Sequence, residues 1–156
     1  MQKTNKNLYI FCLCFMLVAT FNQGKADVNP RHLEYVTHSE KGFILLFHGD
    51  NQGAIAEFEK ALAAEPEHYE IHHYLGMTYA DSDFWNKAVK AYQQSLELMP
   101  DNIEALYSLG MAYFNLGEWE KALEPLQKAT ALSPQHARAY DVLGRVQIKL
   151  RRFVEA

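Results

Sequence analysis

The chain has 156 residues, of which 49% are hydrophobic and 22% are charged, and its formal net charge at pH 7 is −4. Apart from the N-terminus, this composition is typical of one ordinary soluble domain. The net negative charge argues against nucleic acid and anionic lipid as partners, because both require a clustered basic surface.

The N-terminal segment, residues 1–26, is predicted to be a secretory signal peptide. Two lysines precede an apolar run at 8–21, and Gly24 and Ala26 are small residues at positions −3 and −1 of a cleavage site. The run is short for a membrane span, which needs about 20 residues, but a membrane anchor formed by 8–21 is the alternative. Both cysteines lie in this segment, and no Asn-x-Ser/Thr acceptor occurs. We therefore expect a periplasmic or secreted protein, with a bacterial periplasm favoured.

Residues 27–34 are predicted to form an extended lead-in, because Pro30 disfavours the helical conformation of the residue before it. The following segment, 35–68, is predicted to be a helical hairpin. Its parts are a first helix with the apolar run 42–47, a polar turn at 48–53 and a second helix at 54–64.

A period of 34 residues organises the rest of the chain, since the stretch 69–100 recurs as 103–134. The residues that recur are Leu75, Gly76, Tyr79, Ala88 and Pro100, which are followed one period later by Leu109, Gly110, Tyr113, Ala122 and Pro134. Another Leu-Gly pair, Leu143 and Gly144, stands one further period on. A fixed period of this length predicts stacked supersecondary units rather than one closed core.

Residue types explain why each unit is a pair of helices. Apolar residues fall at helical spacing twice per period, and a short polar stretch such as 81–83 separates the two runs. Gly76 and Ala88 are small residues where two helix backbones must approach closely. Pro100 ends the second helix, because proline lacks an amide hydrogen and clashes with the preceding turn.

The pattern resembles the tetratricopeptide repeat, whose signature places Leu-Gly, Tyr, Ala and Pro at fixed offsets. The resemblance covers residues 35–156 and divides them into units 35–68, 69–102, 103–136 and an incomplete 137–156. It implies an all-α, right-handed superhelical solenoid of antiparallel helix pairs. Residues 149–156 parallel 115–122, so we expect a fourth second helix to begin there and favour truncation of a longer chain.

The resemblance also implies where a partner binds. In this family the first helices of the units line a concave groove. The residues of this chain at groove positions include His73, Met77, Tyr107, Met111, Asn115, Asp141, Arg145 and Lys149. The alternative for Met77, Tyr107, Met111 and Phe114 is a place in the core. Chaperone-adaptor members hold a C-terminal carboxylate with a clamp of Lys, Asn and Arg, and that clamp is missing here. The clamp positions carry Ser39, Phe43, His73, Glu104 and Ser108.

The sequence contains no catalytic motif, Gly-rich phosphate loop or paired-Cys motif, so we predict no catalytic residue and no cofactor. The one metal-like constellation is His68 and His72, four residues apart, with Glu70 or His73 nearby. Because His72 fills the large apolar position of the repeat, packed or solvated histidine is the favoured interpretation, and no metal site is predicted.

These observations favour a non-catalytic scaffold, not an enzyme, which binds a protein or peptide segment in the groove. The alternative is the repeat region of a longer exported enzyme or envelope-biogenesis factor truncated at Ala156. A metal-binding module is a third and weaker interpretation. We expect no nucleic acid partner, and we expect association with a membrane only if the N-terminal segment stays uncleaved. Self-association through the uncapped C-terminal end is a further option.

Overall fold

The computed structural model describes the backbone of residues 29–154 and the side chains through residue 151. This part of the chain is formed by helices and contains no strand. The helices are α1 (Pro30–Phe47), α2 (Asn51–Ala64), α3 (Tyr69–Asp81), α4 (Trp85–Leu98), α5 (Ile103–Leu116), α6 (Trp119–Leu132) and α7 (Ala137–Val154). The predicted signal peptide at 1–26, and with it the alternative anchor at 8–21, lies outside the described residues. Among the helices that are described, none is both long and apolar enough to cross a membrane.

The helices form two compact units, which meet in sequence between Pro66 and Glu67. The first described unit is the hairpin of α1 and α2, whose core contains Phe43 and Phe58 with ring centroids 5.1 Å apart in an edge-to-face contact. The second unit contains α3 to α7. It consists of the pairs α3–α4 and α5–α6, followed by α7, with each element packed on the next along the chain.

The extended lead-in predicted for 27–34 is wrong from Pro30 onward, because α1 begins at that residue. The side chain of Asn29 accepts a hydrogen bond from the Arg31 amide at 3.1 Å and so caps the helix. Proline suits the first position of a helix, where no amide partner is needed. The predicted turn at 48–53 is also shorter than expected: α2 begins at Asn51, since Asp50 Oδ1 accepts from the Gly53 amide at 2.9 Å.

Close helix packing at glycine is repeated from pair to pair. A Cβ atom added at Gly42 would lie 2.6 Å from Phe58 Cε1, and one added at Gly76 would lie 2.6 Å from Tyr92 Cε1. A Cβ atom at Gly110 would likewise collide with Leu126. In each of these three pairs, the first helix therefore has a gap at its glycine, which we call the notch. A large side chain from the second helix of the same pair, which we call the knob, fills this gap. The close helix contact predicted at Gly76 is confirmed, and the same packing occurs at Gly42 and Gly110.

The turn expected at 149–151, before a fourth second helix, is absent from the described backbone, because α7 continues without a break to Val154. In the preceding unit the chain turns at Gly117, whose φ of +76° belongs to the left-handed region that glycine adopts easily. The equivalent position in α7 is Arg151. Asp83 holds the same position one unit before Gly117 with a φ of +60°, since aspartate tolerates the left-handed region better than most residues do. Arginine adopts that conformation less readily, so the helix does not end at Arg151.

A buried carboxylate joins α1 to α2. Glu57 is only 4% exposed and accepts from His38 Nδ1 at 2.7 Å, from Lys41 Nζ at 3.0 Å and from Lys60 Nζ at 2.9 Å. Hydrogen bonds from His38, Lys60 and Lys41 lower the pKa of Glu57 from 4.5 to about 2. The sequence pattern did not predict this network, since a glutamate on a second helix is usually exposed.

Glu57 should therefore make the stability of the protein depend on pH. Because its pKa is lowered in the folded state, the network stabilises the fold above about pH 4.5, and this contribution is lost as the pH falls toward 2. We expect Glu57→Gln to destabilise the protein at pH 7 and to flatten the acid limb of the stability curve. Urea unfolding at pH 7, 5 and 3 measures both effects. The exposed neighbour Glu59 supplies the control, Glu59→Gln, and equal acid limbs for the two variants would contradict the assignment.

Candidate partner-binding groove

The first helices of the second unit lie side by side, and α5 contacts both α3 and α7. On the other side of the stack, α4 and α6 are separated by an open cleft of about 360 Å³, with Leu106 and Leu109 of α5 among its lining residues. The first helices therefore approach one another more closely than the second helices do. This places α3, α5 and α7 on the inner side of the unit, where a groove would form.

The eight predicted groove residues divide among these three helices. His73 and Met77 lie on α3, Tyr107, Met111 and Asn115 on α5, and Asp141, Arg145 and Lys149 on α7. The side chains of His73, Met77, Tyr107 and Met111 are half-buried, whereas Asn115 and the three residues on α7 are exposed. A groove along these helices would thus have a mainly apolar floor at α3 and α5 and a polar, mainly basic wall at α7.

His73 belongs to the apolar floor. Its ring centroid lies 5.7 Å from that of Tyr92, and its Nε2 lies 3.5 Å from Ser108 Oγ on the neighbouring helix. Burial lowers the pKa of His73 below 6.5, although the negative charge of Glu104 opposes this shift. The imidazole is consequently neutral at pH 7 and presents a polarisable, uncharged surface.

The half-buried apolar residues of α5 contribute both to the core and to the groove. Tyr107, Met111 and Phe114 pack against the cluster formed by Ala122, Leu126, Val142 and Val146. Because none of the three is fully buried, one side of each is covered by the core and the remainder is accessible. The core interpretation is therefore correct for one side of Tyr107, Met111 and Phe114, and the groove interpretation stays a prediction for the accessible side.

Basic side chains of α7 lie across aromatic rings of the preceding pair. The guanidinium carbon of Arg138 lies 5.1 Å from the ring centroid of Tyr107, and that of Arg145 lies 4.5 Å from the ring centroid of Phe114. Lys149 Nζ lies 5.9 Å from the Trp119 ring. Cation–π contacts of this kind contribute about 0.5–1 kcal/mol each at exposed sites. They hold the cationic groups in a row along the edge of the groove.

Carboxylates partly neutralise that row at one end. Arg138 Nη2 donates to Glu104 Oε2 at 3.0 Å. By contrast, Arg145 Nη1 lies 3.9 Å from Asp141 Oδ2, which is too far for a hydrogen bond. His136, which the sequence analysis missed, lies 3.2 Å from Glu104 Oε1. It stands in the turn before α7, at the repeat position of His68 and Asn102, and its Nδ1 accepts from the Ala139 amide at 3.1 Å. Arg145 and Lys149 are therefore the cations best placed to pair with an incoming acidic group.

The remaining polar residues have local roles. Asn115 Nδ2 donates to the Met111 carbonyl oxygen at 3.0 Å, which satisfies part of the C-terminal end of α5. His68 precedes the first residue of α3, and His72 is buried at 8% exposure, so this pair does not share one accessible face. Within the described residues, no three His, Cys, Asp or Glu side chains come close enough together to hold a metal ion.

Sequence comparison assigns the family. Two profiles, both described as Tetratricopeptide repeat, match residues 67–135 and 41–83, and together they extend over most of the described chain. The chain belongs to the tetratricopeptide-repeat family. Its all-α, helical-solenoid class is therefore confirmed, in agreement with the similar solved structures. No curated protein sequence matches this tetratricopeptide-repeat chain.

Solved tetratricopeptide-repeat structures resemble this chain at different levels of identity. A crystal structure of the MamA protein is 33% identical with a TM-score of 0.73, over 75% of this chain and 64% of that one. A tetratricopeptide repeat protein from Parabacteroides merdae is 26% identical with a TM-score of 0.72, over 78% of this chain and 49% of that one. The first repeat domain of Spaghetti (RPAP3), bound to the HSP90 peptide SRMEEVD, is 20% identical with a TM-score of 0.73, over 76% of this chain and 94% of that one. The last similarity concerns the fold alone. The present chain spans less than two thirds of the MamA chain and about half of the Parabacteroides one.

Proposed function

We propose that this tetratricopeptide-repeat protein is an exported, non-catalytic scaffold that binds a segment of a partner protein in the groove of α3, α5 and α7. The observation that favours this most is the accessible apolar floor beside the cationic row on α7. Methionine and aromatic side chains form adaptable apolar surfaces that suit peptide binding. The Spaghetti repeat domain, which shares the fold, is described with a bound HSP90 peptide.

The distribution of charge suggests what kind of segment fits. Apolar side chains of the partner would contact His73, Met77 and Met111, and an acidic group would pair with Arg145 and Lys149. Glu104 and Ser108 stand at positions where chaperone-adaptor members of the family have clamp residues. The carboxylate of Glu104 would repel a partner carboxylate there, so we place the acidic group of the partner near α7 instead.

Export is the second element of the proposal. It rests on the basic start, the apolar run at 8–21 and the small residues before the cleavage position after Ala26. The intact mass of the protein isolated from its natural host tests it. An intact mass that matches a chain beginning at Asp27 would support cleavage and export. Recovery of the protein in a membrane fraction with residues 1–26 still attached would indicate the anchored alternative.

Charge reversal in the groove tests the binding proposal. A photo-reactive amino acid at the position of Tyr107 would first capture the natural partner in its host, and mass spectrometry would identify the contacted segment. We expect Arg145→Glu with Lys149→Glu to weaken the affinity for a synthetic copy of that segment at least tenfold, because two attractive charges become repulsive. Isothermal titration calorimetry measures the change.

A matched double variant controls for net charge. Arg31 and Lys90 are exposed on α1 and α4, which do not belong to the groove helices, so Arg31→Glu with Lys90→Glu changes the total charge equally. This control should leave the affinity nearly unchanged. If both double variants weaken the affinity equally, the effect is due to long-range electrostatics and not to pairing in the groove. Unchanged affinity in the groove variant would refute the assignment of Arg145 and Lys149.

A further inference from the structure

The open cleft between α4 and α6 lies on the other side of the second unit from the candidate groove. Its volume is about 360 Å³, near the lower end of the range of about 300–1,000 Å³ that is usual for small-ligand sites. Leu96, Leu106, Leu109 and Pro125 are among its lining residues, and we call these four the apolar base of the cleft. The hydrocarbon part of a ligand can lie against this base.

Hydrogen bonds between lining residues close the cleft at both of its ends. At one end, Gln93 Nε2 of α4 donates to Tyr113 Oη of α5 at 3.0 Å. At the other end, Lys128 Nζ of α6 donates to the Pro100 carbonyl oxygen at 2.8 Å. Pro100 follows Gln93 by seven residues, which at about 1.5 Å per helical residue limits the cleft to a length of about 10 Å. The cleft therefore fits a compact ligand better than it fits a helix or an extended segment.

The lining of the cleft has one carboxylate without a partner. Both lysines of the lining are paired, since Lys121 Nζ lies 2.9 Å from Glu118 Oε2 and Lys128 Nζ lies 3.0 Å from Asp101 Oδ1. The carboxylate of Glu124 on α6 is exposed and has no ion pair or hydrogen bond with any described residue. The charge that the cleft leaves unpaired is negative, and this favours a cationic ligand.

Pro125 provides a second acceptor beside Glu124. This proline is buried inside α6 and has no amide hydrogen. The carbonyl oxygen of Lys121, four residues earlier, therefore lacks the donor that an α-helix ordinarily supplies. One repeat earlier, α4 has Ala91 at this position, which has an amide to donate. Because Lys121, Glu124 and Pro125 all line the cleft, a carbonyl acceptor and a carboxylate lie close together on its α6 wall.

We propose that this cleft is a binding site, separate from the groove, for a small amphipathic organic cation of the alkylammonium or alkylguanidinium class. The charged head of the ligand donates hydrogen bonds to the Glu124 carboxylate and to the Lys121 carbonyl oxygen. Its hydrocarbon part lies against the apolar base. Hydrogen bonds between ionised groups are stronger than neutral ones, and contact with the base removes apolar surface from water. The site therefore selects ligands that have both parts.

Titration of the isotope-labelled full-length chain with hexylammonium, followed by NMR, tests the proposal. The amide signals of Leu96, Leu109 and Glu124 should shift saturably. Hexanoate, which has a similar hydrocarbon part and the opposite charge, should bind at least tenfold more weakly. Glu124→Gln should weaken the binding of hexylammonium at least fivefold, because it removes the unpaired charge. Glu97→Gln removes an equal charge from an exposed carboxylate on α4 that does not line the cleft, and it should have no effect.

Pro125→Ala provides a second variant, whose fold is checked by circular dichroism. It supplies an amide to the Lys121 carbonyl oxygen and should also weaken the binding of hexylammonium. The proposal is overturned if hexylammonium causes no saturable shift at tens of millimolar concentration, or if hexanoate binds equally well. Equal affinities of Glu124→Gln and Glu97→Gln would overturn it too.

A short peptide, acetyl-Ala-Lys-Ala-amide, distinguishes the two sources of such a cation. It presents an alkylammonium group as the side chain of a polypeptide. Tighter binding of this peptide than of hexylammonium would overturn the choice of a free ligand in favour of a basic side chain from a partner protein. Arg145→Glu with Lys149→Glu, which changes the groove, should bind hexylammonium as the unmodified protein does. The two sites can therefore succeed or fail independently.

Discussion

Replacing Leu126 by alanine is expected to lower the free energy of unfolding by about 2–5 kcal/mol. Leu126 is fully buried, fills the notch at Gly110 and packs in one cluster with Val142 and Val146. Truncation removes this apolar surface from the core and leaves a cavity that the helices close only in part. Urea unfolding followed by tryptophan fluorescence measures the loss, because Trp119 packs against the same cluster.

An exposed leucine on the same helix provides the control. Leu132 is 43% exposed at the end of α6, and Leu132→Ala should change the free energy of unfolding by no more than about 0.5 kcal/mol. If the two leucine variants were equally stable, Leu126 would not be the residue that joins α5, α6 and α7.

Alanine substitutions at equivalent glycines are expected to change stability in opposite directions. At Gly76, the added methyl group collides with the ring of Tyr92, which is 3% exposed and cannot easily move. Overpacking of this kind costs about 1–3 kcal/mol. At Gly144 the methyl group meets no described neighbour, so Gly144→Ala should gain most of the helix-propensity difference of about 1 kcal/mol.

The midpoints of thermal unfolding of Gly76→Ala, Gly144→Ala and the unmodified protein measure the two effects. Gly76→Ala should have the lowest midpoint and Gly144→Ala the highest. A lower midpoint for Gly144→Ala would mean that the space beside Gly144 is filled in solution, by a second copy or by residues beyond those described. Equal midpoints for all three proteins would contradict the close contact between Gly76 and Tyr92.

The helical spacing of apolar residues predicts most of the fold, because this pattern depends on residues that are only a few helical turns apart in the sequence. The pairs α3–α4 and α5–α6 follow from the recurrence of Leu, Gly, Tyr and Ala, and the glycine contacts follow from residue size. Helix ends are less predictable. Pro30 disfavours a helical conformation of the residue before it, but it also suits the first turn of a helix, and the second effect sets the start of α1. For α7, similarity to the preceding unit predicts a turn that does not form, because Arg151 adopts a positive φ less readily than Gly117 or Asp83 does at the equivalent positions.

The site is less accessible to sequence reasoning than the fold. Family offsets place the eight groove residues on three helices, but they do not indicate which of their sides the core covers. The stacking of Arg145 on Phe114 joins residues 31 positions apart, and the contact between His136 and Glu104 joins residues 32 positions apart. The Glu57 network likewise joins α1 to α2 through polar groups that no apolar period marks. Such contacts depend on side-chain geometry rather than on pattern.

The constant separation between each notch and its knob has a consequence for how the chain folds. Because only 16 residues separate Gly42 from Phe58, Gly76 from Tyr92 and Gly110 from Leu126, each contact closes a short loop. Domains rich in such local contacts fold in microseconds to milliseconds. Any of these hairpins could nucleate first and the others add to it. During synthesis, each pair can therefore form as soon as it leaves the ribosome, without waiting for the units that follow.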